Sequence, residues 1–303
     1  MPAVLQFPGQ TSFAPSLVRE AAAVWPETTR EVLDDASRAL GRDLRPWLEQ
    51  VDLRSNADLQ VAVLLTNHVH LRAVEPVVGP RVPSLGHSLG ELNHLVHIGA
   101  LAFEDAVRLV SARGAAYDGG PVGVMIAVFP LDRRALEPIV ASEPEAWIAA
   151  VNGPSQHVVA GGTEAVRRVA SAVEAETFAT VVEIESRLPM HCPRFAGVAE
   201  AFRPALREVP WREPHSPWIS NVTGGPVEDA TPDRFVELLT RHVCEPVQWS
   251  RCIDAVADAH RPVTFVEVGH GRGLSGLLRR SWRPEPRVWT SDFAAMEGLD
   301  AAR

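Results

Sequence analysis

The 303-residue chain carries 38 acidic residues against 29 basic ones, a formal charge of -9, and 46% of it is hydrophobic. That balance suits one large α/β core with room for a smaller insertion, and it excludes a general nucleic-acid binder, which needs a concentrated basic face. All 29 basic residues are arginine, so Schiff-base chemistry on lysine and a Walker-type phosphate loop are excluded too.

The chain opens on an apolar run, Ala3 to Phe7, that reads as a strand. It lacks the basic segment of a secretory signal, and no run of about 18 apolar residues follows anywhere. The expectation is a soluble cytoplasmic protein with no membrane span. A second short strand, Val82 to Leu85, leads into Gly86-His87-Ser88-Leu89-Gly90-Glu91, and Glu91 to Ala102 reads as a helix with Leu92, Leu95, Val96 and Gly99 on one face. Strand, tight turn and helix make the setting in which a serine hydroxyl becomes a covalent nucleophile. The flanking glycines let strand and helix approach, and the helix start points amides at the reacting carbonyl.

From residue 122 to 187 the pattern changes. Runs at Val122 to Phe129, Trp147 to Asn152, His157 to Ala160 and Thr180 to Ile184 alternate with helical stretches at Arg133 to Ala141 and Glu164 to Ala175. The order βαββαβ predicts a ferredoxin-like subdomain inserted into the larger unit. Residues 1–121 and 188–303 then form one discontinuous α/β core with a parallel sheet, and Thr264 to Val268 supplies a further strand. Proline-rich stretches around 208–217 and 283–287 read as surface connections.

A serine needs a base, and His191, in Leu188-Pro189-Met190-His191-Cys192-Pro193, sits where the inserted unit ends and the chain returns to the core. His87 adjoins Ser88, which turns its ring away from the serine oxygen, whereas His68, His70, His94 and His97 read as surface or packing residues. Cys192, Cys244 and Cys252 show no disulfide framework and no metal spacing. Asn221-Val222-Thr223 is an incidental sequon. The glycine-rich turn after Thr264 to Val268 superficially resembles a nucleotide loop. Only 30 residues follow Gly273, too few for the rest of a mononucleotide unit, so it reads as close strand-to-helix packing. Arg133, Arg134, Arg167 and Arg168, and later Arg279, Arg280, Arg283 and Arg287, are candidate docking patches for an acidic partner.

Eight sites taken in order carry a resemblance. They are Gln6-Phe7-Pro8-Gly9-Gln10, the turn at Ser88, Leu109 to Gly114, the residues at Asn152 and His191, Ser220-Asn221-Val222-Thr223-Gly224, Pro246-Val247-Gln248-Trp249 and Phe265 to Gly269. Together they resemble the malonyl-CoA:acyl carrier protein transacylase family, including the acyltransferase domains of polyketide synthases. The resemblance implies an α/β-hydrolase-like core with the inserted ferredoxin-like subdomain. It implies ping-pong transfer of a malonyl-type acyl group from CoA or a carrier thioester, through an ester on Ser88 with His191 as base, to the phosphopantetheine thiol of an acyl carrier protein. The amides of Gln10 and Leu89 would form the oxyanion hole, Arg113 would pair with the free carboxylate, and Asn152 would line the cleft. Gln248 would stand near the histidine, where a backbone carbonyl rather than an aspartate orients the ring. No metal or organic cofactor is implied.

Departures from the family pattern are informative. Met190, just before the histidine, is neither the Phe nor the Ser common there, so it leaves the acyl substituent open. Asn93-His94 replace small or aromatic residues, and Arg187 stands where a small residue is frequent. These changes favour a specialised stand-alone acyltransferase of a biosynthetic assembly line. The alternatives are a trans-acting enzyme for an unusual non-malonyl group, an editing hydrolase of the same fold, an unrelated esterase with a later histidine such as His260, and a silent carrier-binding subunit.

Overall fold

The computed structural model describes residues 3–10, 14–51, 53, 55–260, 264–269, 271–281 and 287–290, with the backbone alone for 279–281 and 287–290. Its core is a parallel sheet built from β1 (Ala3–Phe7), β2 (Ser84–Gly86), β9 (Thr264–Glu267) and β10 (Arg287–Thr290), in the order β10-β9-β1-β2. Leu5 is in register with Ser84, Val4 with Phe265 and Arg287 with Thr264. The central strands are continuous apolar runs because both faces are covered, as parallel sheets require. Leu5, Phe7, Val266 and Val268 are buried on one side with Leu71 and Val74, while Val4 and Phe265 face the main core.

Helix α3 (Asn56–Val78) starts where the Ser55 hydroxyl accepts from the Asp58 amide. Every residue from Gln60 to Asn67 is buried, so the helix is enclosed on all sides. It packs with α1 (Leu17–Val24), α2 (Pro26–Leu40), α4 (Gly90–His97) and α5 (Phe103–Asp118). The α4 helix is shorter than the Glu91 to Ala102 stretch its periodicity predicts. Gly99 adopts a left-handed φ of 78° and stops it, and α5 restarts four residues later. The β2 strand likewise runs one residue past its expected end, to Gly86.

The second sheet contains β3 (Val124–Phe129), β4 (Ala146–Gly153), β5 (Gln156–Gly161) and β6 (Thr180–Ile184), all antiparallel in the order β4-β5-β3-β6. Two helices, α6 (Arg133–Ala141) and α7 (Thr163–Glu176), cover one face. Alternation decides which face a side chain joins: Ile126 and Val128 pack with Leu136, Val166 and Val169, whereas Met125 belongs to the main core. The β4 strand of the second sheet is tied to the segment before Trp249, where the Val151 amide donates to Val247 O (2.9 Å) and the Val247 amide to Ala149 O (3.0 Å).

The remainder of the core comes from α8 (Ala196–Arg207), the short hairpin β7 (Ile219–Ser220) and β8 (Gly225–Pro226), α9 (Pro232–Cys244), α10 (Trp249–His260) and α11 (Gly273–Ser281). No helix among the described residues is long and apolar enough to cross a membrane. The glycine-rich turn after β9 is a packing feature, as expected. The buried Glu267 carboxylate accepts from the amides of Leu274 (3.1 Å) and Ser275 (2.8 Å) and from the Ser275 hydroxyl (2.6 Å), capping α11.

A close backbone approach joins β2 to α4. A Cβ on Gly86 would lie 2.0 Å from Gly90 O, so Gly86→Ala forces strand and helix apart and is expected to cost at least about 3 kcal/mol. Gly197→Ala on α8, where nothing lies within 4 Å, is expected to gain about 0.5–1 kcal/mol from helix propensity. Urea unfolding of both variants checks the pair.

Candidate active site

The turn between β2 and α4 holds Ser88 at φ 52°. A left-handed serine is strained by about 1–2 kcal/mol, so something must hold it there. The Asn221 side chain does so from the far side of the turn. Its Oδ1 accepts the Ser88 amide (2.8 Å) and its Nδ2 donates to Gly86 O (2.7 Å). Asn221 is itself fixed. Its carbonyl accepts the Gln248 amide (2.8 Å), and its amide donates to Glu91 Oε2 (3.1 Å). Glu91 also accepts from the Trp218 indole (2.8 Å). Burial raises the Glu91 pKa to about 7, against the pull of those hydrogen bonds and of Arg113. With Asn221 wholly buried, the sequon cannot carry a glycan.

The second left-handed non-glycine among the described residues is His191, at φ 59°. Its amide donates to Val243 O (3.1 Å), and its Nδ1 lies 2.7 Å from His242 O. A carbonyl can only accept, so Nδ1 carries the ring proton and Nε2 is left as an acceptor. That Nε2 is 2.7 Å from Ser88 Oγ. Burial first, then the positive charge of Arg113, lowers the His191 pKa to about 3, so the ring is neutral at pH 7 and able to take the hydroxyl proton. The carbonyl that orients the ring belongs to His242. Gln248 ties its backbone amide to Asn221 O.

Arg113, on α5, is only 2% exposed. Its Nη1 donates to Gln60 Oε1 (2.8 Å), its guanidinium carbon lies 4.4 Å from the Tyr117 ring centroid, and no carboxylate pairs with it among the described residues. Both Arg113 Nη2 and Gln60 Nε2 are buried donors without a hydrogen-bond partner. Two adjacent unsatisfied donors, one of them charged, are what an anionic ligand would complete. The small sheet contributes Asn152 from the end of β4, whose Oδ1 accepts from His87 Nε2 (2.9 Å). The His87 ring also meets Trp249 edge-on, at 5.2 Å. Met190 is buried, and its sulfur accepts from Gln10 Nε2 (3.4 Å), so the residue before the histidine touches the Pro8-Gly9-Gln10 turn.

Strand, strained serine, neutral histidine and buried arginine together suit attack on the carbonyl of a carboxylated acyl group. Comparison with known proteins agrees: the profile of the acyl transferase domain matches residues 79–278. The chain belongs to the acyl transferase family. This acyltransferase is 33% identical over 287 residues to the malonyl CoA-acyl carrier protein transacylase of Salmonella typhimurium, covering 90% of this chain and 91% of that one. It is 32% identical over 292 residues to that of Escherichia coli K12, with the same coverages. A stretch of the spectinabilin polyketide synthase system protein NorB of Streptomyces orinoci is 29% identical over 294 residues, 92% of this chain and 13% of that protein. Among solved structures, a malonyl-transacylase in complex with its type II polyketide acyl-carrier protein superposes with a TM-score of 0.90 at 25% identity, over 100% of both chains. The Streptococcus pneumoniae enzyme superposes at 0.87 and 26% identity, covering 98% and 99%.

Several contributors to the acyltransferase site lie outside the sequence expectations: Gln60, Glu91, Asn221 and the carbonyl of His242. The histidines near the turn are packing residues, with His94 linking Ser84 Oγ (2.7 Å) to the Ile219 amide (3.0 Å). His260 ends α10, and it is His191 that reaches Ser88. Of the mid-chain arginines, Arg133, Arg167 and Arg168 pair with Glu137, Glu164 and Glu143, which compensates that candidate patch. The side chains of Arg279, Arg280 and Arg287, and all of Arg283, lie outside the described residues.

Proposed function

We propose that this acyltransferase moves a malonyl-type acyl group from CoA, or a carrier thioester, to the phosphopantetheine thiol of an acyl carrier protein. The observation that carries the reading is the buried Arg113, with a free Nη2, beside a hydrogen-bonded Ser88–His191 pair. Ser88 Oγ bonds to the thioester carbonyl carbon as its proton passes to His191 Nε2. The tetrahedral intermediate, held by the amides of Gln10 and Leu89, expels the thiolate, which takes that proton back. The second half-reaction runs the same steps in reverse with the carrier thiol. Arg113 binds the acyl carboxylate, and Asn152, Met190 and Gln248 shape the cleft.

The elbow supports reading the core as α/β-hydrolase-like, and the strand order with two covering helices supports a ferredoxin-like reading of residues 122–187. The names of the relatives support malonyl-CoA as donor and an acyl carrier protein as acceptor. The polyketide protein NorB and the type II polyketide complex support a biosynthetic assembly line as the setting.

Intact-protein mass spectrometry after brief incubation with malonyl-, methylmalonyl- and acetyl-CoA tests the reading. A malonyl adduct is expected that Ser88→Ala abolishes and that a pantetheine thiol discharges. An adduct that survives Ser88→Ala, or free acid released with no thiol acceptor at the transfer rate, would overturn it, the latter in favour of an editing hydrolase.

A further inference from the structure

Behind the Pro8-Gly9-Gln10 turn lies a pair of buried amides that the steps above do not use. Asn67 on α3 and Asn93 on α4 are 2% and 1% exposed. The Asn67 Nδ2 has two hydrogens and both are engaged, one by Pro8 O (3.0 Å) and one by Asn93 Oδ1 (3.0 Å). Asn93 Nδ2 in turn donates to Leu64 O (3.1 Å). Asn93 therefore sets which way the Asn67 amide faces, and Asn67 ties down the Pro8 carbonyl. Burying two carboxamides is costly unless they are fully bonded, and an apolar pair of like size would fill the same space.

What the clamp holds is the turn against the serine. A Cβ on Gly9 would sit 2.9 Å from His87 O and 3.5 Å from Ser88 Cβ. From the other side comes Gly269, at φ 148°, where a Cβ would fall 2.4 Å from Asn67 Oδ1 and 2.7 Å from Pro8 Cγ. The glycine-rich motif after β9, with no nucleotide to bind, thus closes on the same two residues. Fixing the Pro8 carbonyl fixes the plane of the Pro8–Gly9 peptide, and the close packing of Gly9 against His87 O and Ser88 Cβ limits the two dihedrals that lie between that plane and the Gln10 amide.

We infer that Asn67 and Asn93 are positioning residues that aim the Gln10 amide at the developing oxyanion by clamping the Pro8 carbonyl. The inference rests on the acyl-serine reading above.

Removing an oxyanion donor outright costs about 10²–10³-fold in rate, and misdirecting one costs less. Asn67→Leu and Asn93→Leu are compared with the wild-type full-length chain in single-turnover acylation by malonyl-CoA, with active Ser88 counted from the end-point adduct mass. Per active site, Asn67→Leu is expected to slow acylation about 30-fold and Asn93→Leu about tenfold, with KM within about twofold and the pH profile unmoved. Discharge to a pantetheine thiol should slow by the same factor, because the same oxyanion forms in both halves. The double variant should be no slower than Asn67→Leu, since the two act in series. Asn93→Ala, a smaller change, replaces the leucine variants if these fold poorly, with at least a threefold slowing expected by the same argument.

Per-site rates equal to wild type with only a lowered Tm, or a loss confined to KM, would overturn the inference and leave the amides as structural filler. Absence of any acyl-serine in the wild-type chain would overturn the acyl-transfer reading and this inference together.

Discussion

Arg113→Met is expected to lower kcat/KM for malonyl-CoA by about two to three and a half orders of magnitude while leaving acylation by acetyl-CoA within a few fold. A carboxylate bound by a buried guanidinium makes charge-assisted bonds, and truncating one partner of such a pair costs about 3–5 kcal/mol. Acetyl has no carboxylate to lose. The stability of the empty protein makes a second test. Without ligand, Arg113 is a buried charge whose burial depresses its pKa, and methionine would remove that penalty. The same change strands Gln60, whose Oε1 loses the Nη1 donor while its Nε2 is already unpaired. Since an unsatisfied buried amide costs about 1–3 kcal/mol, the single variant should be near neutral in Tm. Gln60→Leu with Arg113→Met removes both problems and should be more stable than wild type by about 2 kcal/mol. Steady-state kinetics with both donors and thermal melts of both variants decide the matter. An equal loss for malonyl and acetyl would show that Arg113 merely supports the fold, and a less stable double variant would show that the polar pair serves packing rather than a ligand.

How far the site is legible in the sequence depends on what kind of group each residue contributes. Ser88 is legible because its requirements are local: a strand, two glycines and a helix within seven residues. His191 is legible from its place at a junction between units, and the βαββαβ order is legible because each element shows a clean period of two or of 3.6. Gln60, between Leu59 and Val61, and Asn67, between Thr66 and His68, sit in an enclosed helix, where a buried carboxamide is a signal that periodicity alone does not read. Asn221 is masked by a sequon that matches its surroundings. The carbonyl of His242 leaves no trace, since any residue at that position supplies one. The early end of α4 has a local cause in Gly99, which the apolar spacing of Leu92, Leu95 and Val96 obscures.

Acidification from pH 7 to pH 5 is expected to lower the melting temperature of the protein before it titrates the base. His94 and His191 are buried, with pKa values lowered to about 3 against 6.5 for an unfolded chain. A histidine depressed in the fold contributes stability that is present above pH 6.5 and is lost as the pH falls toward the folded value. Over this interval each loses about 2 kcal/mol, about 4 together. Glu91 opposes them. Its pKa is raised to about 7 from 4.5, so its protonation in the fold returns about 2 kcal/mol over the same range. His68, lowered to about 4 by burial, loses about a further 2 kcal/mol, so the net loss is about 4 kcal/mol, and His242, lowered in the same direction by burial and by His191, adds to it. Against a total stability of about 5–15 kcal/mol, that corresponds to a fall in Tm of roughly 8–16 °C between pH 7 and pH 5. His94 gives the loss a structural route: as its Nε2 accepts the Ile219 amide, a proton there breaks the bond that ties β7 to the back of the elbow helix. At a temperature just below the pH 7 melting point, activity should therefore fall together with near-UV circular dichroism on acidification and recover on return to pH 7. An activity loss with a midpoint near 6.5 and an unchanged Tm would instead place an ordinary titrating histidine at Ser88, contrary to the buried neutral ring.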